Sequence, residues 1–136
     1  EEADELGMLA DRRDSDPLAA VTKVAAVEEL RQLVTRARHV HVEPRVARYL
    51  RAVVACTRGH DDVALGVSPR GTLVLYRACQ ARALLAGRDH VLPDDVQELA
   101  IPVLAHRIQI TEHARYGGKA APSVIADVVQ SVRVPA

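Results

Sequence analysis

The chain has 136 residues, a formal net charge of zero, and 49% hydrophobic residues that include three tyrosines but no Phe or Trp. This length suits one domain, and the shortage of aromatic side chains argues against a surface that stacks bases or sugars. Charge is unevenly distributed, because residues 1–16 hold seven acidic and two basic side chains and leave the rest at about +5. That asymmetry is too modest to indicate nucleic-acid binding.

The first two predicted helices differ in character. Residues 1–13 predict a short acidic helix with Leu6 and Leu9 on one side, ended by the polar residues 14–16. A second helical segment is predicted from Pro17, since Asp16 can cap it and proline fits a first turn. Its apolar residues recur at helical spacing and predict one buried face, formed by Val27, Leu30, Leu33, Val34 and Ala37.

Polar and apolar residues alternate over residues 38–43, which predicts an extended segment. Pro44 then opens a strong helix that ends near Gly59. Five apolar residues at helical spacing predict its buried face: Val46, Tyr49, Leu50, Val53 and Val54.

The next helix begins with a serine and a proline. Ser68 is predicted to cap free N–H groups with its side chain, and Pro69 to open a helix that runs to about Ala86, with Gly87 as the stop. Apolar residues surround most of this helix, which predicts that it forms the centre of a bundle. Arg70 projects from its first turn, where free donors and a guanidinium group can bind phosphate. By themselves these residues fit a capped helix with a solvated arginine better than a phosphate site.

A fourth helix is predicted from Pro93, with Asp94 and Asp95 in its first turn, where carboxylates complement the helix dipole. Pro102 is predicted to kink or split it, because an interior proline removes a backbone hydrogen bond. Its predicted buried face comprises Val96, Leu99, Ala100, Val103 and Leu104. After Ile110 we expect weaker order and one more short helix, from 124 to 132.

Other candidate chemistry is weakly supported. His39 and His41 form the one close histidine pair, but the sequence places no third ligand beside them, so no metal site is predicted. The residues of a hydrolase triad, His60, Asp61 and Ser68, are present without the G-x-S-x-G turn that would position them. Cys56 and Cys79 lie within helical patterns, which favours buried free thiols. A P-loop is absent from the sequence, so any phosphate contact by Arg70 would have to complete a site built elsewhere.

Three motifs in order give the sequence a family resemblance. They are DVALGVSPR at 62–70, GRDHVLPDDV at 87–96 and LAIPVLAHRI at 99–108. They resemble the C-terminal lid of MoxR-family AAA+ ATPases, which typically reads G-A-S-P-R-A, G-R-D-Y-V-x-P-D-D-V and L-A-x-x-V-L-x-H-R. The resemblance covers residues 17–110, and residues 1–13 resemble the last helix of the preceding ATPase core.

The chain departs from these family patterns at four positions. Val67 and Gly71 each stand where the family usually has Ala, His90 replaces Tyr, and Leu92 removes a common Thr cap. None of the four changes affects Arg70 itself. Gly71 lowers helix propensity, however, and is expected to loosen the turn that presents Arg70.

The resemblance implies an all-α fold, a small AAA+ lid bundle of about four main helices with flanking N-terminal and C-terminal helices. It divides the chain into the core helix at 1–13, the lid at 17–110 and a C-terminal tail at 111–136. It also implies that Arg70 is the sensor 2 arginine, presented by Ser68 and Pro69, which reaches the phosphates of ATP. ATP and Mg²⁺ are expected in the full-length protein and not on this fragment, which should be inactive without Walker A and Walker B segments.

The implied partners are the AAA+ core of the same protein, neighbouring subunits of a ring, expected to be hexameric, and von Willebrand A-domain proteins. The implied role is chaperone-like maturation or assembly of other proteins in the cytoplasm, without membrane or nucleic-acid binding. An alternative stays open: a stand-alone helical module that scaffolds protein or DNA without catalysis. A P-loop encoded upstream in the same reading frame would favour the ATPase, and DNA binding with steep salt dependence would favour the scaffold.

Overall fold

The computed structural model describes residues 2–11 and 21–135, and it confirms the predicted all-α fold. The described residues also include two short strands and a 3-10 turn, Ala105–Arg107, that follows α5. In chain order the helices and strands are α1 (Glu2–Asp11), α2 (Val27–Arg38), α3 (Pro44–Cys56), β1 (Val63–Leu65), α4 (Pro69–Leu85), α5 (Pro93–Leu104), β2 (Gln109–Ile110), α6 (Glu112–Tyr116) and α7 (Ala121–Ser131).

The chain divides into two units, the first ending at Arg31 and the second beginning at Gln32. In the first unit α1 is present, with Leu6 and Leu9 exposed. Residues 21–26, which were expected to be helical, are not, and α2 begins at Val27. The proposed start itself, Asp16 and Pro17, lies outside the described residues.

The predicted buried face of α2 is wrong. The helix contains no buried residue, and Val27 and Leu30 keep 61% and 59% of their surface exposed. Apolar periodicity shows that a helix has a face suited to burial, but it does not specify what covers that face. The described part of the chain leaves it uncovered.

The core lies in the second unit, among α3, α4, α5 and α7. The predicted face of α3 is confirmed at all five positions, Val46, Tyr49, Leu50, Val53 and Val54. The central helix is α5, which packs most extensively against α4, α7, α3 and the 3-10 turn, so the prediction that α4 forms the centre is wrong. Apolar residues surround α4, but not all of them are packed, and Leu73 and Leu85 remain 65% and 86% exposed.

The C-terminal half of the bundle is more ordered than its sequence predicts. Pro102 does not divide α5, which continues to Leu104 and then passes into the 3-10 turn. The short helix expected near the C-terminus is present as α7. Its buried face joins the same core as α5, through Val124, Ile125 and Val128. The segment that the sequence presents as a tail is therefore part of the bundle.

Two sets of extended residues tie the helices together. Strands β1 and β2 are antiparallel, with Val63 opposite Ile110 and Leu65 opposite Gln109, and neither strand is predicted by the sequence. The extended segment predicted at 38–43 is confirmed at His41, which forms a parallel bridge with His90. The His41 amide donates to the Asp89 carbonyl at 2.8 Å, and the Val91 amide donates to the His41 carbonyl at 2.9 Å.

The two ends of α4 match the predictions to different degrees. Gly87 adopts a φ of 72° and ends the helix, while the amides of Gly87 and Arg88 donate to the carbonyls of Leu84 and Ala83. Ser68 occupies the N-cap position, but its side chain forms no capping hydrogen bond, so that part of the prediction is wrong. Within the described residues, no helix has the length and apolar character needed to cross a membrane.

Candidate functional site

Arg70 lies in the first turn of α4 with its side chain exposed, as do Ser68 and Pro69. That turn contains no acidic residue. Within residues 2–11 and 21–135, Arg70 forms no side-chain hydrogen bond or ion pair. The guanidinium group is therefore available to an anion from outside this chain.

The backbone that leads into Arg70 is fixed to the end of α3. Val67 is fully buried, and its amide donates to the Thr57 hydroxyl at 3.0 Å. Nε of Arg58 donates to the Val67 carbonyl at 2.7 Å, and the Thr57 hydroxyl donates to the Val54 carbonyl at 2.7 Å. Both polar groups of the Val67 backbone are thus satisfied, so the turn before Arg70 is held in place although Ser68 adds no cap.

Two glycines allow the close packing of this turn. A Cβ on Gly66 would lie 2.7 Å from Cα of Arg58, nearer than any side chain can approach a backbone. A Cβ on Gly71 would lie 2.3 Å from Cγ1 of Val67. The larger Val67 fills the space that a side chain at position 71 would need. That Gly71 loosens the turn stays a prediction. We therefore expect the departures Val67 and Gly71 to compensate for one another.

A second arginine, Arg107, reaches the same turn from the end of the 3-10 turn that precedes β2. Strand β1 leads into residues 66–70, and β2 directly follows Ile108, so their pairing brings the two segments together. Cδ of Arg107 lies 3.7 Å from the position of a Cβ on Gly71. Its Nε donates to the Val103 carbonyl at 3.0 Å, and the side chain is exposed. Sequence analysis missed this arrangement because neither strand was predicted.

The second motif forms a closed ion-pair cluster. Nη1 and Nη2 of Arg88 donate to the two carboxylate oxygens of Asp95 at 2.9 and 2.6 Å. Nε of Arg82 lies 3.2 Å from Oδ1 of Asp95, and the Leu92 amide donates to Oδ2 at 2.8 Å. The Asp95 side chain is only 3% exposed. These contacts join the end of α4, the segment after it and the start of α5.

The charge of Asp95 is stabilised by its neighbours. Burial is the largest single influence and favours the protonated acid, but the hydrogen bonds from Arg88 and the Leu92 amide outweigh it and hold the pKa of Asp95 below its usual value. The pKa of Arg88 is raised, mainly by its hydrogen bond to Asp95. The sequence predicts Asp95 as a helix-start carboxylate, and it is that, but its burial and its two arginine partners were missed.

The remaining candidates are not brought together. Nδ1 of His39 lies 2.8 Å from the Thr35 carbonyl, while Nε2 of His41 lies 3.4 Å from Oε2 of Glu43. In the part of the chain that the structure describes, no three His, Cys, Asp or Glu residues are grouped so as to hold a metal ion.

The proposed triad is also not assembled. His60 lies beside Asp62, whose amide donates to its Nδ1 at 3.2 Å, and Ser68 is exposed. Cys56 is half-buried and Cys79 buried, both as free thiols, and burial raises the pKa of Cys79 to about 12. A thiol with that pKa is not a nucleophile at neutral pH.

Comparison with known proteins agrees with the geometry. The family model of the AAA lid domain matches residues 55–128. The uncharacterized protein YeaC of Bacillus subtilis is 36% identical over 97% of this chain, which spans 41% of YeaC. Chaperone MoxR1 of Mycobacterium tuberculosis is 34% identical over 83% of the chain, and protein MoxR of Paracoccus denitrificans is 36% identical over 71%.

The chain therefore spans about two fifths of the length of YeaC and one third of each MoxR protein. A crystal structure of a proposed ATPase from Cytophaga hutchinsonii superposes on the whole chain with a TM-score of 0.80 and 23% identity, which supports the fold. The chain covers 44% of that protein. Since the family model matches more than half of the residues of this chain, the chain belongs to the AAA lid domain family. Its similarity to two MoxR proteins makes it a lid of the MoxR type.

Proposed function

We propose that this lid serves a MoxR-like ATPase and that Arg70 is its sensor 2 residue, which contacts the phosphates of ATP bound by the ATPase core. The observation that carries the proposal is the unpartnered, exposed guanidinium of Arg70 on a turn whose backbone is fixed through Val67, Thr57 and Arg58. A fixed backbone with a free cation is what a site completed by another domain requires. Ser68 and Pro69 help to present the turn.

The chemistry required of Arg70 is electrostatic. Negative charge spreads over the oxygens of a phosphoryl group during its transfer, and a guanidinium group held at those oxygens stabilises it. The other parts of the site, including Mg²⁺ and the Walker segments, belong to the core of the full-length protein. The lid then changes its angle with the nucleotide state and so alters packing between subunits of a ring, which we take to be a hexamer.

The biological role follows the same reasoning. One relative bears the name chaperone, and we extend that role to this protein as chaperone-like maturation or assembly of partners, with von Willebrand A-domain proteins among them. We place this activity in the cytoplasm. ATP hydrolysis would supply the free energy for the change in lid angle.

The decisive experiment measures ATP hydrolysis by the full-length protein and its Arg70→Ala variant. We expect kcat to fall about 100-fold, as happens when one group that stabilises transition-state charge is removed. The matched control is Arg48→Ala, because Arg48 is also exposed but lies on α3. Undiminished hydrolysis by the Arg70 variant would remove this arginine from the mechanism, whereas the 136-residue chain alone should show no turnover.

A further inference from the structure

We infer that Arg107 is a second phosphate-contacting residue of the same nucleotide site, placed beside Arg70 by the pairing of β1 with β2. This inference rests on the proposed function of Arg70. It adds a residue whose role lies in binding the nucleotide rather than in stabilising the transferring group.

The fold gives Arg107 a defined position. Helix α5 ends at Leu104 and leaves its last carbonyl groups without helical partners, and Nε of Arg107 donates to one of them, that of Val103, at 3.0 Å. The aliphatic part of the side chain lies across Gly71, where its Cδ would be 3.7 Å from a Cβ. One nitrogen of the guanidinium group is therefore used for positioning, and the two terminal nitrogens remain available.

The surroundings of the two arginines favour an anionic ligand. Neither the first turn of α4 nor the 3-10 turn contains an acidic residue. Within the described residues, the terminal nitrogens of Arg107 form no ion pair. By contrast, Arg88 and Arg82 are both within ion-pair distance of Asp95.

A nucleoside triphosphate suits this pair of arginines better than a single carboxylate. Each guanidinium group can form two parallel hydrogen bonds to oxygens of one phosphate, so two groups on adjacent segments match successive phosphates of a chain. A single carboxylate would satisfy one arginine and leave the other unpaired.

The test measures kcat and KM for ATP in the full-length protein carrying Arg107→Ala, Arg107→Lys or Arg70→Ala, with Arg48→Ala as the control. We expect Arg107→Ala to raise KM for ATP about fivefold with kcat changed less than twofold, because an interaction made equally in ground and transition states affects binding alone. Arg107→Lys should recover part of that loss, since lysine keeps the charge without the paired hydrogen bonds. Thermal unfolding of the 136-residue chain should be cooperative for all four variants, with a slightly lower midpoint for the two Arg107 variants, which lose the hydrogen bond to the Val103 carbonyl.

Failure of this inference differs from failure of the proposed function. If Arg107→Ala keeps the KM of the control while Arg70→Ala loses turnover, Arg107 does not contact the nucleotide and the function of Arg70 stands. If Arg107→Ala instead breaks the ring without changing ATP affinity, Arg107 contacts a neighbouring subunit and the inference is overturned. If Arg70→Ala retains full activity, the proposed function of Arg70 is wrong. A raised KM for ATP in Arg107→Ala would then still support a phosphate contact by Arg107.

Discussion

Two arginines from two family motifs have opposite surroundings. Arg88 follows a glycine that ends α4, and its guanidinium group is paired with the buried carboxylate of Asp95. Arg70 lies at the start of the same helix, exposed and with no partner in the described residues. Both arginines occur in motifs of the family resemblance, yet Arg88 joins two helices through Asp95 whereas Arg70 has no partner among the described residues.

The difference shows how to separate structural from functional positions in such motifs. A buried charge requires a partner, because its desolvation is costly, and Asp95 has two arginines and a backbone amide. An exposed arginine without a partner has no such desolvation cost, and surface substitutions of this kind usually change the free energy of unfolding by less than about 0.5 kcal/mol. The turn that presents Arg70 is fixed through Val67, and this is why we propose a binding role for Arg70 and not for every exposed arginine.

The largest expected effect on stability comes from breaking the closed cluster with Asp95→Ala. Removal of the carboxylate leaves Arg88 without its anion, Arg82 with Glu98 as its remaining anion, and the Leu92 amide without its acceptor. We expect the free energy of unfolding to fall by about 3 kcal/mol, the lower end for a broken buried pair because both arginines are partly exposed. Urea denaturation of the 136-residue chain measures this loss.

Asp94→Ala is the control for that change, because Asp94 is the exposed neighbour in the same helical turn. It should alter the free energy of unfolding by no more than about 0.5 kcal/mol. Arg70→Ala should be equally mild. Equal losses for Asp94→Ala and Asp95→Ala would contradict the assignment of the closed cluster.

A smaller effect on stability is expected from Gly71→Ala, in the turn that presents Arg70. The new methyl group would meet Cγ1 of Val67 at 2.3 Å. Overpacking costs about 1–3 kcal/mol, and the better helix propensity of alanine returns up to about 1 kcal/mol, so we expect a net loss of about 1–2 kcal/mol. Gly59→Ala provides the control, since a Cβ there meets nothing within 4 Å.

The compensation between the two positions is tested by adding Val67→Ala, which restores the usual family pattern. We follow a double-mutant cycle by urea denaturation. The double variant should lose less free energy of unfolding than the sum of the losses of the two single variants, by about 1 kcal/mol or more. Additive losses would show that Val67 and Gly71 do not compensate for one another.

The smallest expected effect is on the pH dependence of stability, which tests whether the charge of Asp95 stabilises the ion-pair cluster. The pKa of Asp95 is lower in the folded chain than the value of about 3.9 expected when unfolded. Its stabilising contribution is therefore complete above that value and is lost as the pH falls through the folded pKa.

Chemical denaturation between pH 6 and pH 3 should show the stability gap between the unsubstituted chain and Asp95→Asn becoming narrower on acidification. The slope is limited to about 1.4 kcal/mol per pH unit for one proton. The pKa values of Asp62 and Asp89 are also lowered, chiefly by hydrogen bonds to Lys119 and His90, so the asparagine variant keeps some acid sensitivity. A gap that stays constant would mean that the charge of Asp95 is not what stabilises the cluster.

Much of the fold is determined locally and was therefore predictable. Proline at the first helical position gives the starts of α3, α4 and α5, and Gly87 gives the end of α4, because caps and stops depend on neighbouring residues. The buried face of α3 follows from its spacing alone. The family resemblance of the motif at 62–70 likewise identifies Arg70 from the sequence as the candidate residue for contacting the phosphates of ATP.

Contacts between distant segments were decided only by the tertiary structure. The β1–β2 ladder joins residues 47 positions apart, such as Val63 and Ile110, through strands too short to leave a pattern in the sequence. Three further facts also depend on contacts between distant segments. Asp95 is buried between two arginines, the described residues leave the apolar face of α2 exposed, and Arg107 lies close to Gly71 in the turn of Arg70. Local patterns specify which residues form an element and which face is apolar, whereas packing selects the partner of each side chain. Packing is therefore what distinguishes Arg88, which is paired with Asp95, from the exposed Arg70 and Arg107.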